Sequence, residues 1–216
     1  SALTFNKRYT VAVAAFGGIS VANSMHLFQH TPVSPATILE KLQLPVFVKP
    51  NNGGSSIGMS KVTTADALAP ALEKAFKEDT QVLVEEFISG REFTIGVFKS
   101  KGKITVLPIT EIKTENEFFD YEAKYLGKSE EITPARLTPA QLNNLNDLAK
   151  KVYESLRIEG FSRSEFIFVG NIPHFIEINT IPGLTGESLL PQQLKIAGIS
   201  LKALFEDMVK RTLIKK

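Results

Sequence analysis

Apolar positions along this chain change rhythm several times, and each change marks an element. Residues 1–16 read as a helix closed at Gly17-Gly18, because glycine suits the left-handed position past a helix end. Ser24-Met25-His26-Leu27-Phe28 alternates and predicts a short strand. A turn-rich link at 31–35 leads to a helix over 35–42, and the apolar run Val46-Phe47-Val48 reads as a strand running into Lys49 and a glycine-serine loop. Residues 64–77 have helical spacing, with Thr63 or Thr64 as N-cap. Strands follow over 81–86 and 92–98, broken at Ser89-Gly90. That break is the expected boundary between two subdomains, 1–92 and 93–216.

Beyond it, 103–113 predicts one strand and 114–134 a long polar loop with aromatic residues set in it; unstructured loops of that length usually serve function. Thr138-Pro139 opens a helix to about 156, with threonine as N-cap and proline at the first helical position. Residues 161–169 and 172–179 form a hairpin turning at Gly170-Asn171. A loop at 180–187 and helices near 190–197 and 201–213 close the chain. Strand runs mixed with helices, rather than strict alternation, point to an α+β fold instead of a doubly wound parallel sheet.

Composition narrows the chemistry only by exclusion. A net charge of +2 over 216 residues gives no reason to expect nucleic acid or an anionic membrane as partner. No apolar run approaches the roughly 20 residues that span a bilayer. The absence of cysteine excludes disulfides, thiolate catalysis and cysteine zinc sites, and fits a cytoplasmic location.

Three segments carry candidate chemistry. Lys49-Pro50-Asn51-Asn52-Gly53-Gly54-Ser55-Ser56-Ile57-Gly58 has the glycines and serines that let backbone N–H groups turn toward an anion, with a lysine beside them. It is not a Walker A loop, since the lysine precedes the glycines; a plain glycine-rich turn is the alternative. Val82 to Ile88, with Glu85, Glu86 and then Glu92, places carboxylates where an apolar strand leaves its sheet. There, free backbone groups suit a purine edge and a glutamate suits ribose hydroxyls; solvated edge charges are the alternative. On the hairpin, Glu177 and Asn179 share a face. A three-residue loop at 170–172 would set Glu165 opposite Glu177, a hard-oxygen set suited to Mg²⁺, with Arg163 on the same face to stabilise charge on a phosphoryl group. The alternative is a solvated face with Arg–Glu pairing.

Taken in order, these segments resemble the D-alanine–D-alanine ligases, enzymes of the ATP-grasp fold. The likeness rests on Val48-Lys49-Pro50 with Gly54-Ser55-Ser56-Ile57-Gly58, on Tyr121-Glu122-Ala123-Lys124-Tyr125, on Ser162-Arg163-Ser164-Glu165-Phe166, and on Glu177-Ile178-Asn179-Thr180-Ile181-Pro182-Gly183-Leu184-Thr185. The resemblance implies two subdomains with mixed or antiparallel sheets clasping ATP. It implies that Lys7 and Lys49 hold phosphates, that backbone groups around Ser56 cover them, and that Glu85, Glu86, Phe87 and Ile88 meet adenine. Glu92 would meet ribose, and Lys124 would contact nucleotide from a closing loop. Ser55 and Tyr125 would link that loop to the first D-alanine, and Arg163 would act at the reacting centre. Glu165, Glu177 and Asn179 would bind two Mg²⁺ ions, with Mn²⁺ as a substitute, and Gly183, Ser188 and Leu189 the second D-alanine.

The implied reaction is ATP-dependent joining of two D-alanines through an acyl phosphate, for peptidoglycan precursor synthesis. Two departures stand out. Glu165 occupies a position where the family usually has aspartate, and Ser1 to Lys7 resembles the start of the family's central domain. On that reading the family's N-terminal domain is missing from this chain, which would then be a fragment with impaired activity, and the homodimer would belong to the complete protein. The competing expectations are another ATP-grasp carboxylate–amine ligase, a nucleotide-binding module without catalysis, and a partner-binding scaffold.

Overall fold

The computed structural model describes residues 1–100, 102–114 and 129–214. The first helix comes in two pieces, α1 (Ala2–Phe5) and α2 (Lys7–Phe16). Asn6 separates them: its backbone is extended and its side chain accepts the Tyr9 N–H, as an N-cap does. The expected single helix over 1–16 is therefore broken where an asparagine favours a cap over a helix interior. Gly18, at φ 67°, closes α2.

A four-stranded antiparallel sheet follows, built from β1 (Ser24–Phe28), β2 (Val46–Pro50), β3 (Ser60–Val62) and β4 (Gln81–Glu86) in the order β1-β4-β2-β3. The short α3 (Pro35–Leu39) and the amphipathic α4 (Leu68–Glu78) cover one face. Val46, Val48, Val82 and Val84 pack there against Ile38, Leu68 and Leu72. Because strand side chains alternate, Phe47, Lys49, Leu83 and Glu85 are left on the opposite face.

The second sheet contains β5 (Arg91–Ser100), β6 (Lys103–Val106), β7 (Thr110–Thr114), β8 (Ser129–Ile132), β9 (Phe161–Val169) and β10 (Ile172–Asn179). Its order is β10-β9-β5-β7-β8, with β6 also paired to β5, and every pairing is antiparallel. On one face α5 (Pro139–Ser155), started by a Thr138–Gln141 capping box, buries Leu145, Ala149 and Val152 against Phe93, Ile95, Phe166 and Phe175. Ala14 of α2 and Ile19 join this same core, while the start of α2 bonds to residues 51–53, so the N-terminal segment touches both parts. On the other face α6 (Leu189–Ile196) and α7 (Leu201–Ile214) set Leu190, Leu194 and Leu204 against Phe98 and Leu107. Among the described residues no helix is long and apolar enough to cross a membrane.

Two sequence expectations change here. The strand predicted over 103–113 is two strands, since Pro108 has no N–H to give a ladder and the chain steps outward at 107–109. Part of the predicted loop 114–134 is the edge strand β8, held against β7 from Glu111↔Ile132 to Thr114↔Ser129.

Candidate active site

Residues from both sheets line a cavity of about 910 Å³. From the smaller sheet, Lys49 reaches in from β2 and hydrogen-bonds the buried Glu85 carboxylate. Lys7, in the first turn of α2, donates from Nζ to the Gly53 carbonyl at 2.9 Å. The loop between them is fixed at its base. Asp79 accepts from the Asn52 backbone at 2.7 Å and from its amide nitrogen at 2.8 Å, while Asn51 accepts the Arg8 N–H at 2.7 Å. Above that base Ser55 (φ 52°) and Ser56 (φ 59°) are both left-handed, a conformation that non-glycine residues adopt at a cost of about 1–2 kcal/mol each. Strain concentrated in a glycine-serine loop facing two lysines is what an anion cradle requires of its backbone.

The acidic strand end divides between two faces. Glu85 lines the cavity, whereas Glu86 points away and accepts from Asn23 Nδ2 at 2.9 Å and the Gln43 N–H at 2.8 Å. The N–H groups of Glu86 and Phe87 are committed to Asn23 and Pro45 carbonyls. Phe87 carries the Lys61 ammonium 4.2 Å from its ring centroid and meets Phe47 edge-on at 5.7 Å. Phe87, Ile88 and Glu92 lie outside the cavity lining, with Glu92 paired between Ile112 and Ile167 on β5.

The hairpin brings its oxygen ligands together by a device the spacing did not reveal. The turn is a two-residue one, pairing Ile172 with Val169, and by itself it would place Ile176 opposite Glu165. A register shift between Phe175 and Glu177 corrects this, so Glu177 faces Glu165 and Asn179 faces Arg163. The extra residue also lets Phe175 enter the core while Glu177, two positions on, lines the cleft. Arg163 donates from Nη2 to Glu165 Oε1 at 2.8 Å, with both side chains largely buried. Its Nε is buried without a hydrogen-bond partner. Asn179 Oδ1 accepts the Ile181 N–H at 2.9 Å and keeps a second lone pair. Among the described residues no three acidic or histidine side chains converge, so the candidate donor set is two carboxylates and an amide oxygen. That is a hard-oxygen set of the kind that suits Mg²⁺ accompanied by phosphates.

Gly183, Ser188 and Leu189 line the cavity where α6 begins. Ser188 leaves the helix uncapped by its side chain and shares a 2.9 Å hydrogen bond with Thr185. A side chain at Gly183 would come within 2.7 Å of the Ser188 hydroxyl. Lys124 and Tyr125 lie outside the described residues.

Glu131 was missed by sequence reasoning, which read its strand as loop. It sits on β8 opposite Ile112, and its carboxylate faces the cleft. Desolvation raises its pKa above the ordinary carboxylate range and Glu187 adds to that, against a Gln192 hydrogen bond and the Arg163 charge. The alternation of Glu130, paired with Lys113, and Glu131, turned inward, was the available signal. His26 was also missed; it shares the cleft-side face of the smaller sheet with Glu85. Burial and Arg8 lower its pKa, with Glu85 opposing.

With this geometry, known proteins give a consistent picture. The family model described as D-ala D-ala ligase C-terminus matches residues 7–210. A D-alanine–D-alanine ligase from Flavobacterium johnsoniae is 52% identical over 99% of this chain, which spans 66% of that relative's length. The D-alanine–D-alanine ligase of Bacillus anthracis, solved in complex with ATP, is similar at 28% identity with a TM-score of 0.83, over 98% of this chain and 66% of that one. The D-Ala:D-Ser ligase VanG from Enterococcus faecalis is similar at 31% identity with a TM-score of 0.84, over 97% of this chain and 62% of that one. The mixed α+β architecture of two antiparallel sheets is thus that of ATP-grasp ligases, and the chain belongs to the D-alanine–D-alanine ligase C-terminal family.

Proposed function

We propose that this chain carries the nucleotide, metal and second-substrate sites of an ATP-dependent ligase that joins two D-alanine molecules. The observation that supports this best is the opposition, across one cavity, of Lys7, Lys49 and a left-handed Ser55-Ser56 loop to Arg163, Glu177 and Asn179, with the buried Glu165 paired to Arg163 and in register with Glu177. Cations and backbone donors on one wall suit the phosphates of ATP; carboxylates on the other suit the ions that accompany them. The two sheets act as the two subdomains of the clasp.

Glu165, Glu177 and Asn179 would hold Mg²⁺, or Mn²⁺ in its place, which when bound offsets charge on the phosphates and on the transferring phosphoryl group. The chain's own groups do the rest. The carboxylate of the first D-alanine attacks the γ-phosphate, giving an acyl phosphate and ADP. Lys49, Lys7 and the serine loop hold the phosphates, and Arg163 lies beside the oxygen patch to stabilise charge on the group in transfer. The amine of a second D-alanine, bound near Gly183, Ser188 and Leu189, then displaces phosphate. On the family's pattern Lys124 would contact the nucleotide, and Tyr125 with Ser55 would serve the first D-alanine. Glu85 meets the adenine end, while Glu86 serves the hinge as a structural brace.

The test is phosphate release from ATP and Mg²⁺ with and without D-alanine, on this chain and on one extended to the length of its relatives. D-alanine-dependent release with D-alanyl-D-alanine as product is the expected result. ATP binding without release in either protein would favour a nucleotide-binding module, and release dependent on another acid or amine would favour a different ligase.

A further inference from the structure

One end of the second substrate is left without a counter-charge. An amino acid enters as a zwitterion, and the start of α6 offers backbone N–H groups for its carboxylate, but neither Gly183, Ser188 nor Leu189 brings a negative charge to a cationic amine. Glu131 does. Gln192 ties it to this end of the cavity, donating from Nε2 to Glu131 Oε2 at 3.3 Å and to the Glu187 carbonyl at 3.0 Å. Glu187 immediately precedes Ser188, so one amide clamps the edge strand β8 to the first turn of α6. The same hydrogen bond occupies Oε2 and leaves Oε1 as an acceptor on a residue that lines the cavity. The neighbour Glu130 pairs with Lys113, so among the described side chains of β8 Glu131 is the one in the cavity lining.

We infer that Glu131 is a specificity-determining residue that binds the ammonium group of the incoming amine substrate, selecting an amine over a hydroxyl nucleophile. The inference rests on the ligase reading and extends it. Arg163 lies in the same lining and its charge acts on the Glu131 carboxylate, so an ammonium held at Glu131 offsets that carboxylate on the side where Arg163 is proposed to act; it gives its proton to the carboxylate before the neutral amine attacks the acyl phosphate. A hydroxyl acid such as D-lactate gains nothing from this carboxylate. Glu187, on the same rim, adds negative potential at Glu131, and Glu131 is the carboxylate that Gln192 holds in the cleft.

The experiment is equilibrium binding of D-alanine and D-lactate to the ADP- and Mg²⁺-loaded chain, for wild type, Glu131→Gln and Glu131→Asp. Wild type is expected to prefer D-alanine at least tenfold. Glu131→Gln, which keeps the size and the contact to Gln192, is expected to lower D-alanine affinity about tenfold, leave D-lactate unchanged, and retain the nucleotide-induced thermal shift. Glu131→Asp is expected to keep most of the preference because it keeps the charge. An unchanged D-alanine to D-lactate ratio in Glu131→Gln, or an equal loss for both acids, would overturn the assignment while leaving the ligase reading intact. Wild-type protein that binds nucleotide but neither acid would overturn the ligase reading and this inference together.

Discussion

Replacing Gln193 by leucine tests how the second-substrate end of the cleft is held. Gln193 is fully buried on α6, and its amide fills a gap in the larger sheet. Where the chain steps out between β6 and β7, the β5 edge has a Gly96 N–H and a Thr94 carbonyl facing the gap. Gln193 Oε1 accepts the first at 2.9 Å, and Nε2 donates to the second at 3.0 Å and to Thr110 Oγ1 at 2.9 Å. Gly96 must be glycine for this approach, because a Cβ there would lie 2.7 Å from Gln193 Oε1. Leucine has nearly the same volume, so cavity formation is minor. Thr110 keeps its Thr133 partner at 2.6 Å, which leaves two buried polar groups to account for. At about 1–3 kcal/mol for each buried group left unsatisfied, Gln193→Leu should lose about 2–6 kcal/mol. For a chain of this length that is a fall in Tm of roughly 4–24 °C. The sequence has no tryptophan, so the assay is urea unfolding followed by far-ultraviolet circular dichroism, with an unchanged m-value as control. A loss below about 1 kcal/mol would refute the reasoning. Gln193→Glu adds a second arm. Burial raises the folded-state pKa of the introduced carboxyl above its unfolded value near about 4.3, so its stability is greatest below that pH and is lost as pH rises through the folded pKa.

Lys49→Met strands the buried Glu85 carboxylate, so it should destabilise the nucleotide-free protein by about 2–4 kcal/mol and abolish the ATP-induced thermal shift. Pairing it with Glu85→Leu should recover most of the stability but not the shift, and thermal melts with and without ATP read both. Glu177→Gln removes a carboxylate of the candidate donor set, so it should remove the Mg²⁺ dependence of nucleotide binding, measured by calorimetry. For His26 the folded pKa is lowered, chiefly by burial and then by Arg8. The unfolded chain therefore binds the proton first, and stability should fall as pH drops below about 6.5. His26→Gln should flatten that part of the wild-type Tm-versus-pH curve; an unchanged slope would remove His26 as its source. A Cβ at Gly90 would sit 1.9 Å from the Phe168 carbonyl oxygen, so Gly90→Ala should yield little folded protein, as judged by soluble expression and circular dichroism.

Local rules were enough for much of this molecule. Alternation placed the bounds of β1, and the Gly170-Asn171 turn those of β9 and β10, because both signals lie within the segments themselves. The Thr138 cap was legible because cap and first turn are neighbours in sequence. The residue types for phosphates and metal could be listed from the sequence, since lysines beside a glycine-serine loop and carboxylates with an amide on one strand face state their chemistry in composition. Other features depended on partners far along the chain. The shift at Ile176 exists because Phe175 must fill a core built by α5 while Glu177 must face Glu165, two demands that simple alternation cannot meet together. Glu86 turned to Asn23 and Gln43, and Gln193 completed a strand edge nearly a hundred residues away. Glu131 gained its place only once β8 paired with β7 and α6 closed over that edge. The sequence determined which groups were available and, where the strands are regular, which face of each element they took. Tertiary packing decided which of them met in the cleft, because burial and hydrogen-bond satisfaction are properties of the assembled sheets and not of any one segment.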